Sequence, residues 1–117
     1  MLALVVAATL SAPNIVLISV DTLRADHLGF YGHTIPTSPN LDALAARSLV
    51  FDDMVCEVPL TGPSFAAMMT SQFPRATGVT RNGIRLPEDV PTAAELFADA
   101  GYETMCVTSN WTLKAKL

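Results

Sequence analysis

Short apolar runs alternate with amphipathic segments along most of this chain. Residues 14–20 (NIVLISV) form a continuous β-branched run that ends at Asp21, a pattern typical of a buried parallel strand. Residues 49–55 predict a second strand, although two adjacent aspartates interrupt its apolar character. Residues 103–108 (ETMCVT) predict a third strand.

A helix is predicted between the first two of these runs. Ser38 is its expected cap, Pro39 takes the first helical position, and Asp42 lies in the first turn, where a negative charge is favourable. Its expected apolar face consists of Leu41, Leu44 and Ala45.

Two further helices are predicted downstream. One covers residues 61–72, opens through a Gly-Pro pair and closes before Pro74. The other begins at the capping box Thr92-x-x-Glu95 and stops at Gly101. Because strands alternate with helices and turn-rich loops join them, the pattern predicts an α/β fold with a mostly parallel sheet.

Two polar residues of interest lie in predicted loops. Residues 21–39 are predicted to be mostly loop with one helical turn, and residues 76–91 to be a surface loop. Asp21 follows the first predicted strand, and Thr61 lies between a predicted strand and the helix after it. Ligands of open α/β sheets bind beyond the carboxyl ends of the strands, so we expect Asp21 and Thr61 to share one edge.

Composition limits the classes of function. Half of the 117 residues are apolar and 15% are charged, which suits one small domain with a modest core. The net charge is −4 and no Lys/Arg cluster is present to neutralise phosphates, so we expect no nucleic-acid partner. Cys56 and Cys106 have no recognisable spacing. A disulfide would require an oxidising compartment, and two buried free thiols are the expected state.

The N-terminal residues give information about the cellular compartment of the protein. Residues 1–12 (MLALVVAATLSA) resemble the apolar region of a secretory signal peptide, but no basic residue precedes them and no single cleavage site stands out. A signal-peptide remnant and a buried strand or irregular end are therefore both open. The run is too short for a stable membrane span. We expect periplasmic or secreted protein, with the cytoplasm as the alternative, and a partial domain over residues 13–117.

The most informative segment is residues 59–75 (PLTGPSFAAMMTSQFPR). It resembles the sulfatase signature, in which a Cys or Ser nucleophile precedes a small residue, Pro, Ser and Arg. Thr61 stands at the nucleophile position. The matching positions are Gly62, Pro63 and Ser64, and residues 66–70 continue in register. Other segments (IVLISVDTLRADHLGFYG, SPNLDALAARSLVFDDM, TAAELFADAGYETMCVTSN) resemble, in order, neighbouring parts of the same family.

This resemblance implies the opening part of a metal-dependent ester hydrolase with the three-layer α/β/α, alkaline-phosphatase-like fold. It implies that Asp21 is a metal ligand and that Thr61 is the nucleophile and a further metal contact. The implied cofactor is one divalent ion, calcium, zinc or manganese, and the implied substrate is a small sulfate or phosphate ester.

Elementary chemistry agrees with that assignment. A hydroxyl is a weak nucleophile until a base or a metal removes its proton. Thr61 at a helix N-terminus is expected to gain backbone N–H donors and a positive dipole end, which favour an oxyanion. A carboxylate such as Asp21 is a suitable ligand for a hard divalent cation.

Several positions depart from the family pattern. Typical sulfatases convert their Cys or Ser to an aldehyde hydrate, and threonine cannot undergo that conversion. Thr61 therefore favours phosphate-type esters, as in phosphoethanolamine transferases, where Thr holds this position. Phe65 replaces the signature Arg and Ser71 the signature Gly. Thr22 stands where many sulfatases place a second metal-binding Asp, which favours one transition-metal ion over calcium.

The family's remaining metal ligands lie downstream of the segments present here. We therefore expect a fragment without turnover of its own, because one carboxylate and one hydroxyl do not make a metal site of useful affinity. Two alternatives are a truncated or split product that needs a complementing C-terminal chain, and a binding module that has kept the fold without the chemistry.

Structural roles are also open for the polar residues. Asp21 could cap a turn, and Thr61 could be an ordinary helix N-cap. Arg24 and Asp26 could line the site or form a solvated pair. His27 and His33 match no family ligand, and exposure or structural bonding is expected of both.

Overall fold

The computed structural model describes residues 12–113, which divide into two compact units, one ending at Ala46 and one beginning at Arg47. The signal-peptide interpretation of residues 1–12 falls almost wholly outside the described part. No helix among the described residues is long and apolar enough to cross a bilayer. The helices are α1 (Pro39–Ala45), α2 (Thr61–Thr70), α3 (Pro74–Thr77) and α4 (Ala93–Asp99), with 3-10 turns at Ala25–His27, Gly29–Tyr31 and Trp111–Leu113.

In the first unit, a small polar cluster joins α1 to the Gly29–Tyr31 turn. Ser38, the predicted cap of α1, is buried. Its Oγ accepts a hydrogen bond from the Gly29 N–H at 2.9 Å and donates one to Asp42 Oδ1 at 2.9 Å. Asp42 Oδ1 also accepts the Phe30 N–H at 3.0 Å. Ser38 and Asp42 therefore satisfy backbone groups of the preceding turn instead of capping α1 through a side-chain bond.

Gly29 is required by this close approach. A Cβ atom at Gly29 would lie within 2.3 Å of Asp42 Oδ2 and 2.8 Å of Asp42 Cγ. A side chain there would displace the Asp42 carboxylate and break its hydrogen bonds with Ser38 and Phe30. Residues 21–39 were predicted to be mostly loop with one helical turn; the structure contains two 3-10 turns within this loop.

The core of the second unit lies between α2 and the segment that follows it. Ala66 of α2 packs with Val79 and Leu86, and all three are buried; Ile84 and Val90 pack against them. The interpretation of residues 76–91 as a surface loop was therefore incomplete. The first two residues of this segment belong to α3 and the rest is irregular and largely exposed, but its apolar side chains supply most of this core.

Helix α4 begins and ends as the sequence predicts. Thr92 Oγ1 accepts the Glu95 N–H at 3.3 Å, and Glu95 Oε2 accepts the Thr92 N–H at 2.8 Å, which completes the capping box. At the other end Gly101 takes a φ of +90°, and the Tyr102 N–H donates to the Phe97 carbonyl. The Phe97 and Tyr102 rings meet edge to face at 5.3 Å, the apolar contact that accompanies such a helix end.

The three predicted strands are absent from the described residues, which contain no strand at all. Residues 14–20 are exposed, with Val16 at 79%, so the expected burial of that run was wrong for this structure. A helix bonds its own backbone, whereas a strand needs a neighbour to pair its N–H and C=O groups. The described part of each unit supplies no such neighbour, and the parallel sheet stays a prediction.

Candidate functional site

Thr61 is the first residue of α2. Leu60 has an extended backbone (φ −136°, ψ 133°), and its carbonyl accepts the first helical bond from the Ser64 N–H at 3.0 Å. Leu60 is therefore the N-cap, and the interpretation of Thr61 as an ordinary N-cap was wrong. The Thr61 side chain is half-buried at the head of the helix, beside the buried Gly62 and Pro63.

The backbone donors at this helix start are largely taken. The Gly62 N–H donates to Asn82 Oδ1 at 2.8 Å, and Pro63 has no N–H. The Ser64 N–H is used within the helix. The expectation that backbone N–H groups at this helix start favour an oxyanion is therefore corrected for Gly62 and Ser64, whose N–H groups are already bonded. Sequence reasoning missed Asn82; the only signal for it is the Asn-Gly turn pair, with Gly83 at a φ of +85°.

The far end of α2 carries a strained residue. Ser71, which replaces the signature Gly, has a φ of +54° and ψ of 28°, in the left-handed region. A side chain with a Cβ atom costs roughly 1–2 kcal/mol in that conformation. The structure thus gives a physical reason for glycine at this position of the signature.

We expect Ser71→Gly to raise the free energy of unfolding by about 1 kcal/mol, since relief of strain outweighs the added freedom of the unfolded chain. Denaturant unfolding of the purified chain measures it. Ser71→Ala is the matched control, because alanine keeps the Cβ atom and should give no gain. Equal stability of the two variants would contradict the strain argument.

Asp21 is exposed and lies in a turn directly after residues 14–20. The next residue, Thr22, has a φ of +61°. A β-branched residue in the left-handed region is a genuine outlier that costs of order 1–3 kcal/mol. Such strain persists where surrounding structure imposes a particular backbone, and here it sets the turn that carries the Asp21 carboxylate.

The two predicted site residues lie in different compact units, Asp21 in the first and Thr61 in the second. Their convergence at one sheet edge therefore stays a prediction. Among residues 12–113, no group of three or more His, Cys, Asp or Glu side chains could hold a metal ion. Asp21 and Thr61 carry oxygen donors of the right chemistry, but they are only part of a donor set.

The remaining polar candidates have ordinary surroundings. Arg24 and Asp26 form an exposed ion pair at 2.5 Å, in which the hydrogen bond from Arg24 lowers the pKa of the Asp26 carboxyl. The His27 and His33 rings stack at 5.2 Å. The two cysteines, at positions 56 and 106, are free as predicted but exposed, so their expected burial was wrong. Cys106 lies within the apolar run 103–108, and Cys56 directly follows the run 49–55, neither of which forms a strand here.

Comparison with known proteins supports one family. The sulfatase family model matches residues 13–115. Arylsulfatase A of Bos taurus is 42% identical over 114 residues, which cover 91% of this chain and 22% of that protein. Arylsulfatase A of Homo sapiens is 44% identical over 100 residues, covering 79% of this chain and 19% of that protein. A delta 4,5-hexuronate-2-O-sulfatase of Bacteroides thetaiotaomicron is 36% identical over 98 residues, covering 80% and 20%.

No solved structure matches the chain. The chain spans about a fifth of the length of these relatives. The family match covers the helix that begins at Thr61, the turn that carries Asp21 and the segment that carries Asn82. By this match the chain belongs to the sulfatase family, and with it to the alkaline-phosphatase-like α/β class.

Proposed function

We propose that this chain is the nucleophile-bearing segment of a sulfatase-type, metal-dependent ester hydrolase, with Thr61 as the attacking residue. The position of Thr61 carries the proposal: it is the first residue of a ten-residue helix, within a family match that covers nearly the whole chain. Relatives named as arylsulfatase A and as a hexuronate sulfatase support hydrolysis of an ester at sulfur.

The chemistry follows from the hydroxyl. Thr61 Oγ1 attacks the sulfur or phosphorus atom in line with the leaving alcohol, the bond from that atom to the ester oxygen breaks, and the hydroxyl proton ends on the released alcohol. The product of this step is a covalent ester on Thr61. Water then attacks the same atom, frees sulfate or phosphate and restores the hydroxyl.

Asp21 and Thr61 would together hold part of the shell of one divalent ion, calcium, zinc or manganese. When bound, such an ion lowers the pKa of a coordinated hydroxyl and offsets the negative charge of the transferred group. Asp21 is exposed in the turn beside Thr22, and its carboxylate oxygens are the kind of donor that hard divalent cations bind. Since the described residues hold no complete donor set, we expect no turnover from the 117 residues alone.

Threonine favours phosphate-type over sulfate esters in this proposal. The covalent ester must be broken by water at the central atom, because threonine lacks the second hydroxyl through which an aldehyde hydrate expels sulfate. Phe65, half-buried at the signature Arg position, removes a cation that would orient the nucleophile and the oxyanion of either ester.

A complementing chain is the second proposal, and exposed apolar surface favours it. Residues 49–55 and 103–108 belong to one unit and include Leu49 at 80%, Met105 at 89% and Val107 at 87% exposure. A surface of this kind marks an interaction site. The partner would be a C-terminal sulfatase segment whose strands pair with these runs. A binding module without chemistry is the remaining alternative.

Chemical trapping tests the proposal. A chain of the length of the sulfatase relatives that carries these 117 residues at its start, called the extended chain below, is incubated with an aryl phosphate or an aryl sulfate and quenched in acid. We expect high-resolution mass spectrometry to find a phosphoryl group on Thr61, and turnover of aryl phosphate to exceed that of aryl sulfate. A modification on another residue, or turnover without any adduct on Thr61, would remove the nucleophile assignment.

A further inference from the structure

We infer that Asn82 is a positioning residue for the nucleophile, acting through the backbone of Gly62. This inference rests on the proposed role of Thr61 and extends it to a residue twenty positions beyond the helix start. The Asn82 carboxamide oxygen accepts the Gly62 N–H at 2.8 Å, and the two residues are far apart in sequence.

The helix start needs an acceptor from outside. The first amides of an α-helix have no partner within the helix, and an N-cap side chain normally supplies one. Leu60, the N-cap of α2, has no side-chain acceptor, and no side-chain cap bond forms there. The Asn82 side chain supplies the missing acceptor, so the loop over residues 81–83 caps the N-terminus of α2.

Gly62 and Asn82 also pack closely against each other. Gly62 is buried, and a Cβ atom built on it would lie 3.2 Å from Asn82 Oδ1 and 3.5 Å from Asn82 Cα. The Asn82 backbone therefore rests against the helix start, and the hydrogen bond fixes the peptide plane next to Thr61. Moving this plane moves the Thr61 Cα, and with it the direction of Oγ1. In-line attack is sensitive to such a shift, since a displacement of about 1 Å can cost of order 100-fold in rate.

The loop is in turn anchored to the core. Val79 is 1% exposed and Leu86 7%, and both pack on Ala66 of α2. The Ile84 N–H also donates to the Arg81 carbonyl, which closes the turn around Asn82. The contact between Asn82 and Gly62 thus joins two parts of one packed unit.

Two measurements on Asn82→Ala test the inference. In the full 117-residue chain, hydrogen exchange of the Gly62 amide should become about 5- to 10-fold faster, as expected for loss of one hydrogen bond. In the extended chain, kcat for aryl phosphate should fall roughly 10- to 100-fold, with KM changed by less than about threefold. Asn82→Asp keeps an oxygen acceptor and should retain the Gly62 protection. Arg81→Ala, an exposed neighbour, should change neither measurement.

The outcomes separate the inference from the proposed function. If the Gly62 amide exchanges at the same rate in Asn82→Ala as in the wild type, the hydrogen bond from Gly62 to Asn82 is wrong. Faster exchange with unchanged kcat overturns the positioning role, whatever the stability of the variant. If Thr61→Ala retains full turnover while Asn82→Ala still releases the Gly62 amide, the proposed nucleophile is wrong and the Asn82 contact stands.

Discussion

Thr61→Ala is expected to abolish turnover of aryl esters by the extended chain, with kcat reduced by at least about 1,000-fold and no covalent adduct on the protein. Removing the nucleophile of a covalent mechanism leaves only the residual catalysis from binding and charge stabilisation. The side chain is half-buried at the head of α2, and alanine is a good helix former, so the helix itself should persist. Steady-state kinetics and intact-mass spectrometry provide the two measurements.

Thr61→Ser is the matched control for that prediction. Serine keeps the hydroxyl and loses one methyl group, so kcat should stay within about tenfold of the wild type. The adduct should then appear on the serine that replaces Thr61. Wild-type turnover by the alanine variant would exclude a nucleophilic role, and loss of turnover in both variants would point to a packing role of the methyl group instead.

The helices could be predicted because their signals are local. The Ser38-Pro39 start, the Gly-Pro start at residue 61 and the capping box at Thr92 each agree with the observed bounds to within a residue or two. Each start signal consists of neighbouring residues, although only Thr92 bonds the first amides of its own helix. The Ser38 side chain bonds Gly29 instead, and Leu60 has no side-chain acceptor. Gly101 likewise ends α4 through its own positive φ.

The strands could not be predicted in the same way. The run at residues 14–20 has the composition of a buried strand, yet Val16 and Ile18 are 79% and 77% exposed. The apolar pattern shows which segment can pair and be buried, but it does not identify the strand with which that segment pairs. The family match supports the α/β class, whereas the parallel sheet stays a prediction.

Part of the candidate site could be predicted from the sequence alone. Thr61 follows from motif register, and its helix start from the Gly-Pro pair. Asn82 does not follow, because its role depends on the backbone of Gly62 approaching a loop twenty residues away. Ser71 is an intermediate case. The sequence shows that it replaces a signature Gly, but only the structure shows why glycine suits this position, which has a left-handed backbone.

Asp21→Asn is expected to weaken divalent-metal binding by the extended chain about 100-fold or more, and to lower kcat at a fixed metal concentration by a similar factor. Asparagine preserves the size of the side chain and one oxygen donor, but it removes the negative charge that attracts a hard cation. Isothermal titration with calcium, manganese and zinc measures the affinities separately from activity. Raising the metal concentration should restore much of the lost kcat, because the other ligands and the nucleophile remain.

Asp53→Asn is the control for charge alone, since Asp53 is an exposed carboxylate in a segment with no proposed ligand role. It changes the net charge by the same amount, so its metal affinity should equal that of the wild type. Thr22, the next residue after Asp21, has a φ of +61°, and this conformation fixes the direction of the backbone beside Asp21. An Asp21→Asn variant that binds each metal as the Asp53→Asn variant does would show that Asp21 is a turn residue and that the cation, if bound, has other ligands.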